Sequence, residues 1–127
     1  MMVVDTSALV TIIVREPPAA ACIKALESET DVLASAGTLA EALIVASRRH
    51  VSDQMAGLID ELDLEIIPVT LASARRIGKA YEKWGKGMHP AGLNFGDCFA
   101  YVLAKERSCP LLFIGNDFSQ TDVESVL

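Results

Sequence analysis

Pro110-Leu111-Leu112-Phe113-Ile114-Gly115-Asn116-Asp117 is the stretch that decides the fold. Four consecutive apolar residues between a proline and a Gly-Asn turn make the best strand in the chain. Working outward, Met2-Val3-Val4, Val32-Leu33-Ala34 and Ile66-Ile67-Pro68-Val69 read as three more strands, and residues 123–127 as a fifth, edge strand. The segments between them have helical spacing. Helices are expected over residues 7–14, from the Pro17-Pro18 break to about Leu26, from Thr38 to about Arg49, over residues 52–62, from Thr70 to about Trp84, and over residues 95–107. Residues 85–94 carry Gly85, Gly87, Pro90 and Gly92 and read as a loop. Strands separated by helices imply crossover connections, hence an α/β fold with a parallel sheet covered by helices on both faces.

With 127 residues, 51% of them apolar, the chain fits one domain (residues 1–127) with a real core. No apolar run reaches the roughly 18 residues needed to cross a bilayer. The apolar start is broken by Asp5, Thr6 and Ser7 and has no basic residue ahead of it, unlike a signal peptide. A cytoplasmic protein with no membrane partner is expected. Cys22, Cys98 and Cys109 are too few and too scattered for a disulfide framework, and no CxxC pair suggests zinc. They are expected as packed or semi-exposed thiols.

The net charge of −6 argues against a nucleic-acid binder, because phosphate contacts need Lys and Arg. Clustered carboxylates that hold divalent cations would reverse that local charge. Four acids stand where such a cluster could form. Asp5 ends the first strand, and Asp117 lies three residues past Ile114. Glu41 and Asp97 fall in the first turns of helices, in Thr38-Leu39-Ala40-Glu41 and Asn94-Phe95-Gly96-Asp97. Strand carboxyl ends and the following helix N-termini share one edge of a parallel sheet, where ligands bind. Each acid also has a purely structural reading. Thr38-x-x-Glu41 matches a capping box, Asn94 and Asp97 can cap the last helix, and Asp5 and Asp117 can be turn acids. Their apolar surroundings favour the cluster. Burying several carboxylates unpaired is costly, and a hard divalent cation resolves it. Oxygen-only ligands suit Mg2+ or Mn2+. Neither His50 nor His89 has a zinc-like spacing.

The segments Val4-Asp5-Thr6-Ser7-Ala8-Leu9, Thr38-Leu39-Ala40-Glu41, Leu93-Asn94-Phe95-Gly96-Asp97-Cys98-Phe99-Ala100-Tyr101 and Gly115-Asn116-Asp117-Phe118 resemble the four acidic motifs of PIN-domain VapC toxins. Order and spacing match over nearly the whole chain. The resemblance implies a PIN-like three-layer fold, with a central parallel sheet flanked by helices. It implies a Mg2+- or Mn2+-dependent endoribonuclease, the toxin of a toxin–antitoxin pair, acting on structured RNA such as tRNA or rRNA. A homodimer and a cognate VapB-like antitoxin follow from it as well. On this match Asp5, Glu41, Asp97 and Asp117 are the metal-site and catalytic acids, with Thr6, Ser7 and Asn116 as supporting donors. One departure stands out: relatives often carry Lys at the position of Ile114.

The chain offers no Ser–His–Asp or Cys–His set, so a metal-activated water is the expected nucleophile. Its products would carry 5′-phosphate and 3′-hydroxyl ends. Aspartate-nucleophile phosphatases also carry an Asp at the first strand's end, but they need a second Asp two residues on, where Ser7 stands. A phosphoryl-receiver module would need an adjacent acid pair there and a late Lys, where Ile114 stands. A catalytically weak PIN-like binding or regulatory module is the remaining alternative. For RNA contact, Arg76, Lys79, Lys83 and Lys86 recur at helical spacing, with Ile77, Ala80, Tyr81 and Trp84 read as the inward face. An Arg- or Lys-bearing antitoxin tail would fit the acidic pocket. Leu9, Ile12, Ile13, Ala20, Ile23 and Leu26 would offer a groove for that tail's apolar part, if they are not core.

Overall fold

The computed structural model describes residues 1–127. The strands are β1 (Met2–Val4), β2 (Val32–Ser35), β3 (Glu65–Ile67) and β4 (Leu111–Leu112). The helices are α1 (Thr6–Ile13), α2 (Ala19–Ser28), α3 (Ala36–Arg48), α4 (Ser52–Glu61), α5 (Leu71–Trp84) and α6 (Phe95–Arg107). All pairings are parallel and the sheet order is β3-β2-β1-β4. Successive side chains on a strand face opposite sides, and the core divides accordingly. Met2, Val4, Val32, Ala34 and Leu112 pack with α1–α4, while Val3, Leu33 and Leu111 pack with α5 and α6. Fully burying each such Val or Leu stabilises the fold by roughly 1.5–3 kcal/mol. Because β2 lies on one side of β1 and β4 on the other, the chain reverses direction across the sheet at β1. A crevice opens there, at the carboxyl ends of β1 and β4.

Several boundaries differ from expectation, each for a visible reason. Helix α1 begins at Thr6, one residue before expectation, because Asp5 caps it: its Oδ2 accepts from Ser7 N at 3.1 Å. Helix α3 begins at Ala36, because the Ser35 hydroxyl accepts from Gly37 N at 3.2 Å. Thr38-x-x-Glu41 is therefore not a capping box, and Glu41 has no capping duty. β3 ends at Ile67 because Pro68 cannot donate to a ladder. β4 is only two residues long: Ile114 N donates to the Ser7 hydroxyl at 3.0 Å instead of to a neighbouring strand.

The expected fifth strand does not form. Residues 123–127 make a single parallel bridge, Leu111 to Ser125. The segment lies beside β4, but only Leu111 pairs with it: Leu111 N donates to the Glu124 carbonyl and Val126 N donates to the Leu111 carbonyl. Asp122, just before it, is held to α6 by the Tyr101 hydroxyl and Lys105. The candidate groove on α1 and α2 is mostly core. Leu9 and Leu26 are buried, Ile12 and Ile13 pack against them, and Ile23 remains 41% exposed. Cys22 and Cys98 are buried and Cys109 is partly so, all as free thiols. No helix is long and apolar enough to cross a membrane.

Candidate active site

At the crevice beyond β1 and β4 lies an open cavity of about 340 Å³ whose lining includes Asp5, Glu41, Asp97 and Asp117. Four separate elements deliver them. Asp5 terminates β1 and caps α1; Glu41 projects from the second turn of α3; Asp97 sits in the first turn of α6; Asp117 rides the loop after β4. The loop turns at Gly115, whose φ of 100° is a conformation glycine adopts without strain.

Each carboxylate is held differently. Asp5 is buried (3% exposed), and its Oδ2 accepts from Ser7 N at 3.1 Å and from the Ser7 hydroxyl at 2.7 Å. Its other oxygen, Oδ1, is buried with no hydrogen-bond partner. Leaving a buried acceptor unmade costs about 1–3 kcal/mol. Asp97 (6% exposed) shares a capping box with Asn94: Asn94 N donates to Asp97 Oδ2 at 3.0 Å, and Asp97 N donates to Asn94 Oδ1 at 2.8 Å. Asp97 is thus a helix cap and a cavity wall at once. Glu41 makes no hydrogen bond; its carboxylate lies against the bare Cα of Gly96, where a Cβ would collide with it. Asp117 is exposed at the rim.

The electrostatics follow from burial and crowding. Burial lifts the Asp5 carboxyl from its ordinary 3.8 to about 6, with the Glu41 charge adding to the rise. Burial lifts Asp97 to about 7, with the charges of Asp5, Asp117 and Glu41 adding to it. No Lys, Arg or His lines the cavity; at the position where a basic side chain was the expectation from relatives, Ile114 contributes an apolar wall. An orphaned buried carboxylate oxygen, a set of oxygen donors and no counter-charge are the donor chemistry of a hard divalent cation. As placed, no three of these groups are gathered around one point at ligand distance. Side-chain adjustment or bridging waters, which Mg2+ commonly keeps, would complete the coordination.

The other predicted residues separate. Ser7 lies in the cavity and ties Asp5 to Ile114 N through one hydroxyl. Thr6 also lines it, but its hydroxyl donates to the Thr38 carbonyl at 3.1 Å and so reaches no carboxylate. Asn116 is exposed and outside the lining; its carbonyl accepts from Ser119 N and the Ser119 hydroxyl. Arg76, Lys79, Lys83 and Lys86 do not reach the cavity. The first three line a cleft between α5 and α6, whereas Lys86 lies beyond the end of α5 and lines a different, apolar cavity. Ala80 faces inward as expected and Ile77 and Trp84 are half-buried, but Tyr81 is 36% exposed.

Sequence reasoning missed two residues here. Glu16 adds a fifth acid to the lining, delivered by the turn at Arg15, whose φ is 58°. Gly96 had a readable signal. A glycine within a helix costs roughly 1 kcal/mol relative to alanine, which points to a close approach.

The comparisons with known proteins bear on the fold and the family. The PIN domain family model matches residues 2–124. The chain is 44% identical to ribonuclease VapC28 of Mycobacterium tuberculosis, over 99% of this chain and 98% of that protein. It is 41% identical to ribonuclease VapC36 of the same organism, over 97% of this chain and 91% of that one. Among solved structures, M. tuberculosis VapC20, described as a Sarcin-Ricin loop cleaving toxin, superposes with a TM-score of 0.80 at 15% identity, covering 99% of this chain and 98% of that one. VapBC2 from Rickettsia felis, bound to a DNA fragment from its promoter, gives 0.71 at 16% identity, covering 98% and 95%. The structural likenesses carry the fold and the sequence identities carry the family: the chain belongs to the PIN-domain family, among the VapC ribonucleases.

Proposed function

We propose that this VapC-family ribonuclease is a Mg2+- or Mn2+-dependent endonuclease that acts on structured RNA in the cytoplasm as the toxin of a toxin–antitoxin pair. The observation that carries the metal is that Asp5, with its Oδ1 buried and unpartnered, lines a cavity of acids with no base. Asp5 and Asp97 would hold the ion directly, with Glu41 and Asp117 beside it in the same cavity. When bound, such an ion acidifies a coordinated water and offsets the charge that builds on the phosphate oxygens. The chain's own residues set the geometry. Ser7 fixes Asp5 through Oδ2 and leaves Oδ1 for the ion. The Asn94–Asp97 box fixes the second carboxylate. Glu41 and Asp117 orient the attacking water. That water's oxygen bonds to phosphorus as the bond from phosphorus to O3′ breaks, and O3′ leaves with a proton. The ends formed are 5′-phosphate and 3′-hydroxyl.

A basic peptide tail from a VapB-like antitoxin would occupy the same cavity by pairing its Arg or Lys with these carboxylates. Two of the similar solved structures are toxin–antitoxin complexes, which supports such a partner. A homodimer is the assembly we assign. An apolar cavity of about 650 Å³, walled by Val69, Ile77, Tyr81, Phe95 and Phe99, leaves Phe95 71% and Val69 42% exposed. Exposed apolar surface of this kind marks an association site.

Mapping the ends of cut RNA tests the reaction. Ligatable 5′-phosphate ends that disappear with Asp97→Asn are expected. Cyclic 2′,3′-phosphate ends would mean attack by the RNA's own 2′-hydroxyl, and the water mechanism would be wrong.

A further inference from the structure

The chain is acidic overall, yet seven of its 11 cations fall on or just beyond α5 and on α6. Of 11 Lys and Arg, five lie between positions 75 and 86, and Lys105 and Arg107 join them from α6. Only Glu82, Asp97 and Glu106 oppose them within residues 71–107. Between α5 and α6 runs a cleft of about 240 Å³, with Lys79, Lys83 and Lys105 around Trp84 and Tyr101. Two of the cleft's cations are matched: Arg76 pairs with Glu106 at 2.7 Å, and Lys105 with Asp122 at 3.3 Å. Lys79 and Lys83 have no carboxylate partner. They stand one helical turn apart, a like-charge spacing that weakens a helix unless an anion sits between them. Lys83 Nζ lies 4.9 Å over the Trp84 ring, so the cleft combines free cations with an aromatic surface. That pairing suits a nucleic-acid strand.

The cleft and the acidic cavity share no wall, but α6 lends residues to both: Asp97 to the cavity, Tyr101 and Lys105 to the cleft. Asp97, Tyr101 and Lys105 recur at i, i+4 and i+8 on α6 and so share one stripe. At a rise of 1.5 Å per residue, Asp97 and Lys105 are roughly 12 Å apart along the helix. A lone phosphate cannot touch both ends, whereas a polynucleotide strand can. We propose that the α5–α6 cleft, through Lys79, Lys83 and Trp84, binds the phosphodiester backbone of the RNA substrate and leads it to the acidic cavity. This rests on the reading of RNA as substrate. It replaces a continuous stripe ending at Lys86 with a cleft that draws on both helices.

Trp84 is the chain's single tryptophan, so its emission reports on the cleft directly. The full-length protein in EDTA is titrated with a short single-stranded oligoribonucleotide at several salt concentrations. Saturable change in Trp84 emission is expected. In Lys79→Glu with Lys83→Glu, binding should weaken about tenfold or more. The slope of log affinity against log salt should shrink by roughly 1.4, about 0.7 per lost single-strand phosphate contact. In cleavage assays KM should rise while kcat holds, as for contacts made equally in ground and transition states. Lys79→Gln with Lys83→Gln, which introduces no new acid, should move both values in the same direction.

Emission that RNA leaves unchanged, or Glu variants with the parent's KM and salt slope, would overturn the proposal. So would poly-glutamate shifting the emission where RNA does not, which would assign the cleft to an acidic protein partner. RNA that binds at Trp84 but is never cut would sink the nuclease reading and leave this one standing.

Discussion

The Glu41 carboxylate on α3 rests against the bare Cα of Gly96 on α6, one residue before Asp97. The contact joins two of the four acids across two helices, and any side chain at position 96 would move one of them. Gly96→Ala therefore separates stability from activity. The added methyl meets the far end of a flexible side chain, so the fold should survive. Alanine's higher helix propensity offsets part of any strain, by about 0.5–1 kcal/mol. RNA cleavage should fall roughly tenfold or more, the effect of losing about 1.4 kcal/mol of transition-state stabilisation. Thermal melts alongside cleavage rates check it. Full activity in Gly96→Ala would show that the position of Glu41 is immaterial.

The isosteric amides at the two buried acids should be inactive and well folded. Asparagine caps helices about as well as aspartate, so Asp5→Asn keeps its bonds from Ser7. In Asp97→Asn the amide oxygen can still accept from Asn94 N. An ion's electrostatic contribution is several kcal/mol, so each should cost at least about a hundredfold in cleavage. Glu41→Gln belongs with them, because Ser35 and not Glu41 serves the start of α3. A Glu41→Gln protein that loses stability but keeps its activity would restore the capping role.

Stability should depend on pH in a direction set by those acids. Asp5 and Asp97 are raised from 3.8 to about 6 and about 7, so the native state holds protons that the unfolded chain releases. In metal-free buffer this contribution is fully present below about pH 4 and is lost as pH climbs through 6 and 7. Asp97→Asn should flatten that decline and melt roughly 2–8 °C above the parent at pH 8. Added Mg2+ should raise the parent's Tm at pH 8 and leave Asp97→Asn nearly unmoved. Differential scanning fluorimetry across pH checks both; a parent that grows steadily more stable from pH 4 to 8 would contradict the assigned shifts.

Inhibition by the antitoxin should compete with the ion. A basic tail in the cavity and Mg2+ need the same carboxylates, so raising Mg2+ should partly relieve inhibition. Asp5→Asn and Asp97→Asn should also weaken the complex. An antitoxin that binds these variants as tightly as it binds the parent must act through another surface.

Association should depend on the apolar cavity beside α5 and not on the acidic one. Val69→Glu with Tyr81→Glu places charge in that surface and should yield a monomer by sedimentation velocity, whereas Asp97→Asn should sediment as the parent does. A parent that is already monomeric at micromolar concentration would remove the dimer.

Much of this was readable from the chain, and the failures share a cause. The alternation of strands and helices, the caps at Thr70 and Asn94 and the bounds of α6 follow from local patterns. The four acids were legible because strand ends and helix starts share an edge, which topology alone dictates. For Glu41 the sequence leaves a capping role open beside the acidic cluster, because Thr38-x-x-Glu41 fits the pattern. Ser35 lies three residues earlier, at a junction with no loop, and local spacing does not rank the two. Residues 123–127 were read as a strand on their apolar content. They reach β4 but form only one bridge, and Asp122 just before them is held to Tyr101, 21 residues away, a contact no local pattern shows. Lys86 fell off the basic face because Gly85 ends α5 just before it.

The metal is the centre of this account, and one assay tests it most directly. Purified protein is stripped with EDTA, and RNA cleavage is followed before and after Mg2+ or Mn2+ is returned, with Asp97→Asn in parallel. The account predicts no cleavage in EDTA, recovery with either ion, and none from Asp97→Asn under any condition. Cleavage that continues undiminished in EDTA, and is lost with neither the ion nor the Asp97 carboxylate, would contradict it.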